Sequence, residues 1–365
     1  MKKILCTLMS IMMILAVATG CGQTGGDASS AQTGETGTKV ITNCDGTEVT
    51  VPEKVDKIGC LFGPSYEKVV LLGAEDKIVF DGDYHINSWP WSNVIYKHLN
   101  DVPGITNAHS APNIEDLMGY EPDLVFNFPN PETTKAMEEA GMYVVPMAST
   151  DKYDSIVDEL EVYAEAIGGD APKIAEEYSS YFYEVVDKVK EGVKNIPEAE
   201  RKTVYFANEN ILKTHGNKSS ILDLIELCGG VPVTSEIDGG NSMEVTAEQL
   251  VAWDPDYIFV DHAGSSGNKT AEQVIDEMVA QDVYSEMKAV KNDHVEVVPT
   301  GVFFWDSGVQ KPLLMLYLAS TLYPEAFSDV DMKAETKAFY SEFFDYDLSD
   351  DEVTRILAHL DPETK

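Results

Sequence analysis

The chain has 365 residues, with 26 Lys and Arg against 63 Asp and Glu and a formal net charge of −37. A nucleic-acid face needs clustered cations to neutralise phosphates, so this balance excludes nucleic acid as a partner and describes a solvated, self-repelling surface. The length is enough for two domains of ordinary size.

In chain order, Lys2 and Lys3 precede an apolar run over 4–17, and Ala18, Thr19 and Gly20 stand before Cys21. A positive start, an apolar stretch short for a membrane span and small residues ahead of a cleavage point make 1–20 a signal peptide. The cysteine directly after them resembles the bacterial lipobox. That resemblance implies that Cys21 is the lipidated first residue of the mature chain and holds the protein on the outer side of the cell membrane through more than one acyl chain. Residues 21–38 are mostly Gly, Ser, Thr, Ala and Gln; such a segment cannot bury a core and reads as a flexible tether. Of the five cysteines, Cys44, Cys60 and Cys228 remain, an odd number that excludes a complete disulfide framework. Buried free thiols are expected, with a Cys44–Cys60 bridge as the alternative.

Short apolar runs then alternate with helical stretches, the pattern of an α/β fold. Strands are predicted over 57–62, 77–81, 124–128 and 143–147, and a second set over 203–207, 257–261 and 295–299. A helix over 66–72 lies between the first two strands, stopped by Gly73 and entered through a Gly63-Pro64-Ser65 loop that puts Tyr66 near a strand end. Between the two sets, 154–167 has helical spacing and ends at Gly168-Gly169. Over 171–193, Ile174, Tyr178, Tyr181, Phe182, Val185, Val186 and Val189 fall on one helical face. The prediction is two α/β lobes joined by one long helix, with a ligand cleft between the lobes. The expected divisions are 39–150 for the N-terminal lobe, 151–200 for the connecting helices, 201–325 for the C-terminal lobe and 326–365 for terminal helices.

The chain also repeats itself. Asn113-Ile114-Glu115-Asp116-Leu117 leads to Pro122-Asp123-Leu124-Val125-Phe126, and Thr246-Ala247-Glu248-Gln249-Leu250 leads to Pro255-Asp256-Tyr257-Ile258-Phe259. Glu, Leu, Pro and Asp recur at the same spacing, and each copy reads as a short helix, a turn and a buried strand. Thr246 and Gln249 fit a capping box.

These paired units resemble those of the binding proteins for iron–siderophore complexes, haem and cobalamin. So do the opening stretch from Asn43 to Pro52, the loop and helix from Gly216 to Gly230, and the C-terminal run Phe304-Trp305-Asp306 with Pro312-Leu313. The resemblance covers nearly the whole mature chain. It implies two lobes bridged by a long helix with limited hinge motion, and an extracytoplasmic monomer that delivers a metal chelate to an ABC permease and its ATPase. It also implies that Glu115 and Glu248, one per lobe, dock onto arginines of the permease. An acid in a helix first turn is also favourable on its own account.

For the ligand, Trp89, Trp91, Phe304 and Trp305 are candidate aromatic clamps from loops after strands, joined by Tyr66 just past the first strand, with Asp306 as a polar anchor. His85, His109, His215 and His262 fall in predicted loops; His85, His109 and His215 are the candidates for contact with a ligand or its metal, His85 and His215 foremost. With two arginines in the chain, Arg201 and Arg355, and neither in a predicted cleft loop, a trianionic ferric catecholate is a poorer fit than a corrinoid, a haem or a small metal complex. Lys213, Lys218 and Lys311 are weaker substitutes. The alternative is direct capture of a transition-metal ion by loop histidines. No GxSxG, HExxH or GxxxxGK[ST] pattern is present, so neither an enzyme nor a resident cofactor is expected.

Overall fold

The computed structural model describes residues 37–82, 90–148, 152–262 and 271–363. The expected signal peptide, nearly all of the tether, Cys21, His85 and Trp89 lie outside them. Among the described residues, no helix is long and apolar enough to cross a membrane.

A hairpin of β1 (Thr38–Thr42) and β2 (Glu48–Pro52) opens the fold. It docks through Asn43, whose amide donates to Pro146 O at 2.8 Å. The first sheet contains β3 (Ile58–Cys60), β4 (Ile78–Gly82), β5 (Gly104–Ile105), β6 (Leu124–Asn127) and β7 (Val144–Pro146), in the order β5-β4-β3-β6-β7 and parallel throughout. Helices α1 (Gly63–Leu71), α2 (Pro90–Ile95), α3 (Ile114–Gly119) and α4 (Pro131–Glu139) connect it. Two helices follow, α5 (Ser155–Ile167) and α6 (Ala171–Val193). At 1.5 Å per residue α6 is about 34 Å long, enough to bridge two lobes as one rigid strut.

The second sheet contains β8 (Thr203–Asn208), β9 (Asn210–Thr214), β10 (Val231–Pro232), β11 (Met243–Glu244), β12 (Tyr257–Asp261) and β13 (Val295–Val297). Its order is β11-β9-β8-β12-β13, with β10 beside β8. Strands β8, β10, β12 and β13 are parallel, whereas β9 folds back antiparallel on β8. The connections are α7 (Ser220–Leu227), α8 (Ala247–Trp253), α9 (Ala271–Val279) and α10 (Lys288–Lys291); then α11 (Lys311–Leu322), α12 (Met332–Phe344) and α13 (Asp350–Leu357) end the fold.

The central strands are buried on both faces, and one apolar core runs from Ile58 and Phe126 through Tyr178, Phe182 and Val186 of α6 to Phe206 and Leu316. Separate clusters cover the far face of each sheet. Cys44, Cys60 and Cys228 are free thiols; burial pushes Cys44 up to about 12, with Glu159 and Asp158 adding to it.

The repeated unit has a physical reason. Asp123 accepts hydrogen bonds from the backbone N–H groups of Asp56 and Lys57 at 2.8 and 2.9 Å, at the start of β3. Asp256 accepts from the backbone N–H and the hydroxyl of Thr203 at 2.9 and 3.0 Å, at the start of β8. Each Pro-Asp turn therefore pins its strand to the neighbouring one, and Leu117 and Leu250 of the preceding helices are fully buried.

Two loops of the sequence reading are helical. Gly63, Pro64 and Ser65 form the first turn of α1, and Pro90 opens α2, which carries Trp91. Proline is tolerated in a first turn, where its missing N–H has no intrahelical acceptor to lose. Trp91 accordingly lies inside a helix and not in a loop, and Tyr66, the first residue of the predicted helix, lies one turn inside α1.

Replacing Asp256 by Ala leaves the Thr203 N–H and hydroxyl without their carboxylate. The variant should lose about 2 kcal/mol of stability, seen in urea unfolding as a lower midpoint with an unchanged slope.

Candidate functional site

In parallel α/β sheets, ligands sit beyond the carboxyl ends of the strands. At those ends of the first sheet, Phe62 follows β3 and Phe128 follows β6, with ring centroids 5.3 Å apart. His109 stacks on Phe128 at 4.8 Å and lies 5.5 Å from Phe62. All three rings are half-buried, so they are open to a ligand. Burial holds the His109 imidazole below its ordinary pKa.

The corresponding end of the second sheet is polar. Asp261 is the last residue of β12 and His262 follows it with φ +53°. The left-handed backbone is uncommon for a non-glycine residue; here Asp261 Oδ1 accepts from His262 N at 2.7 Å and supports it. The turn sends the imidazole across to Asp306, where Nε2 donates to Oδ1 at 3.0 Å. Ser307 also donates to Asp306 Oδ1, at 2.9 Å, and Asp261 Oδ2 lies 3.7 Å from His262 Nε2. The Phe304 ring lies parallel to the imidazole, centroids 3.3 Å apart, and Phe303 packs edge-on against Phe304.

Electrostatics tie this group together. Burial pushes the His262 imidazole down, but the carboxylates of Asp306 and Asp261 outweigh it and lift the pKa to about 9. Burial likewise raises Asp306, and His262 overrides it, holding that carboxyl well below the usual range. Asp261 is raised, first by burial and then by the charge of Asp306.

His215 lies at the end of β9 and is 1% exposed. Its Nδ1 is engaged by Ser219 Oγ at 3.0 Å and by Asn241 Oδ1 at 3.3 Å, and Phe206 packs edge-on against the ring. Nε2 is buried without a hydrogen-bond partner. Burial lowers its pKa, against a raising influence from Asp306.

The other candidates serve as supports. Tyr66 is fully buried and donates to Val302 O at 2.7 Å; its neighbour Ser92 donates to the same oxygen at 2.7 Å. Trp91 is buried and donates to Leu360 O at 2.9 Å. Trp305 is also buried, directly behind the exposed turn at Ser307. The structure thus brings His215, Phe304 and Asp306 to one place around His262, puts His109 on the opposite sheet, and sets Tyr66, Trp91 and Trp305 in the packing behind. Phe62, Phe128 and Asp261 escaped sequence reasoning, and His262 was noticed without being preferred. The signal for all of them was their place immediately after, or at the end of, the strands of the central sheet positions.

Two of the three lysines offered for an anionic ligand are paired with acids of their own. Lys213 pairs with Glu209 at 2.8 Å and Lys218 with Asp238 at 2.8 Å. Lys311 is buried, and burial lowers its pKa. Arg201 precedes the amino end of β8, roughly 20 Å from the carboxyl end at about 3.3 Å per residue.

The loop that carries Phe304 and Asp306 is held from the first lobe. Glu67 of α1, fully buried, accepts from Val309 N at 3.1 Å. Tyr178 of α6 donates to Val309 O at 2.8 Å. Gly308 is required there, since a Cβ would come within 2.7 Å of both Glu67 Oε2 and Phe304 O. Beside Glu67, Lys68 forms a buried pair with Glu159 of α5 at 3.0 Å.

The periplasmic binding protein family matches residues 58–300. The molybdate-binding protein MolA of Haemophilus influenzae is 22% identical over 351 residues, covering 87% of this chain and 94% of that protein. Among solved structures, a periplasmic solute binding protein from Veillonella parvula aligns with a TM-score of 0.74 at 24% identity, over 88% of this chain and 97% of that one. CeuE of Helicobacter pylori with Ni(II) bound aligns with a TM-score of 0.69 at 22% identity, over 87% and 99%.

Burial pushes the Glu67 carboxyl up to about 8, against the lowering effect of the Val309 N–H. Its folded pKa lies above its unfolded one, so its contribution is complete below about pH 4.5 and is lost as pH rises through 8. Relative to Glu67→Gln, the parent protein should lose about 1.4 kcal/mol of stability per pH unit across that window. Chemical unfolding of both proteins at several pH values checks this.

Proposed function

The chain belongs to the periplasmic binding protein family, and from that premise we propose that it is the extracytoplasmic, lipid-anchored substrate-binding component of an ABC importer, capturing an iron complex, a haem or a cobalamin-like metal chelate. The observation that carries the ligand class is the pairing at the strand ends: a half-buried aromatic cluster of Phe62, His109 and Phe128 on one sheet, and an imidazole–carboxylate pair backed by Phe304 on the other. Aromatic faces accommodate a flat apolar ligand frame, and imidazole with carboxylate can reach its metal. The shortage of uncommitted cations near the pair favours these ligands over a trianionic catecholate.

Delivery to the permease needs one contact on each lobe. Glu115 and Glu248 stand in the first turns of α3 and α8, both exposed. Asn113 caps the first helix, and a Thr246–Gln249 capping box closes the second. Each carboxylate is therefore held at a fixed height on its lobe and left free to meet a basic partner. Lobe movement around a ligand changes the spacing of the two, which gives the permease a readout of occupancy.

Native mass spectrometry with haem, cobamides and ferric siderophores is the direct test: retention of one stoichiometric metal complex is expected, and retention of none contradicts the reading. Glu115→Ala and Glu248→Ala should each lower uptake by an order of magnitude or more in cells while leaving ligand affinity within about twofold, since rim charges outside a ligand contact carry little binding energy. A large affinity loss would place the residue in the cleft. Cys21→Ala should move the folded protein from the membrane fraction to the soluble fraction, as expected when an acyl anchor is lost.

A further inference from the structure

We propose that Asp261, His262 and Asp306 ligate a divalent transition-metal ion directly, so that the cargo binds through a cationic metal centre with open coordination positions. This rests on the proposed function and narrows it: the metal contributes its own bonds to the protein, and the organic frame is secondary.

Four observations carry it. The imidazole Nε2 of His262 and a carboxylate oxygen from each of Asp261 and Asp306 lie within 4.8 Å of one another. Donor atoms on opposite sides of a first-row metal stand about 4.2 Å apart at bond lengths of about 2.1 Å, so the group needs only a small contraction to close on one ion. Second, Asp261 Oδ2 is buried and accepts no hydrogen bond, although it lies 3.7 Å from His262 Nε2. A buried carboxylate oxygen left without a partner is rare and asks for one, and its other oxygen is already used by His262 N. Third, His215, outside that group of three, has Nδ1 fixed by Ser219 and Asn241, which leaves the buried Nε2 without a hydrogen-bond partner at the same end of the sheet. A ring nitrogen oriented by its other nitrogen is the usual arrangement of a metal-binding histidine.

The fourth is the sign of the charge. Two carboxylates stand against one imidazole, with the buried Lys311 also acting on Asp306, and Lys213 and Lys218 are neutralised by their own acids. An oxyanion would meet two negative groups there, whereas a cation meets complementary ones. Imidazole together with carboxylate suits zinc, nickel and cobalt better than calcium or magnesium, which take oxygen ligands alone. On coordination the metal takes the place of the Nε2 proton now shared with Asp306, and that proton passes to water. Three protein donors leave positions of an octahedral ion for waters or a small chelator.

The test uses the protein stripped of metal by chelator, titrated with Ni(II), Zn(II) and Co(II) alone by calorimetry, with the visible spectrum of Co(II) recorded alongside. One ion per chain is expected, with a cobalt spectrum of mixed nitrogen and oxygen ligation. His262→Gln, Asp261→Asn and Asp306→Asn should each weaken binding at least tenfold, and unfolding followed without metal identifies any variant whose loss is a folding defect. Metal binding that is unchanged in all three variants overturns the assignment, placing the ion on the acidic surface. Binding of intact haem or cobamide without binding of any free ion also overturns it and leaves the proposed function standing. Binding of neither overturns both.

Discussion

Between Val302 and Val309 the chain belongs to no strand ladder, and buried backbone groups must find partners elsewhere at a cost of about 1–3 kcal/mol for each one left unpaired. Some partners are local, as where Gly308 N donates to Phe304 O; others come from the other lobe and from the bridging helix: Tyr66 and Ser92 on Val302 O, Glu67 on Val309 N and Tyr178 on Val309 O. This segment also carries Phe303, Phe304 and Asp306. The placement of Phe303, Phe304 and Asp306 thus depends in part on hydrogen bonds from α1, α2 and α6. Gly308 lets the two backbones approach closely enough for this to happen.

The same dependence limits how the lobes move. A buried Lys68–Glu159 pair fastens α1 to α5, and one apolar core packs both helices and α6 and continues into the second sheet. Packed interfaces shift between discrete arrangements and do not deform continuously. The strongly acidic chain, at a net charge of −37, attracts cations at long range.

Much of this was legible in the sequence. The alternation of elements and the repeated Glu, Leu and Pro-Asp spacing identified two related lobes, and the predicted helix over 171–193 matches α6 at both ends, because a single apolar stripe without an internal breaker admits no other reading. The strands β6 and β12 fall where their apolar runs put them. The hairpin β8–β9 escaped, since its turn uses Glu209 in a left-handed conformation with φ +66° where glycine or asparagine is the usual signal. Proline misled at α1 and α2, where it starts a helix and does not interrupt one. At the site, aromatic residue type pointed to Trp91 and Trp305, but large rings next to a strand end serve the core as readily as a ligand. The half-buried Phe62 and Phe128 were hidden because exposure, unlike residue type, is set by packing from distant segments. His262 could be preferred over the other histidines only once Asp306, far along the chain, was seen beside it.

The central claim is that the segment from Val302 to Val309 is held by the opposite lobe. Native-state hydrogen exchange resolved at single amides tests it directly. The Val309 and Gly308 amides should exchange in the same cooperative opening as the amides of α1, and should lose protection together with α1 when Glu67 is changed to Ala. Fast, independent exchange of that segment while α1 stays protected would contradict the account.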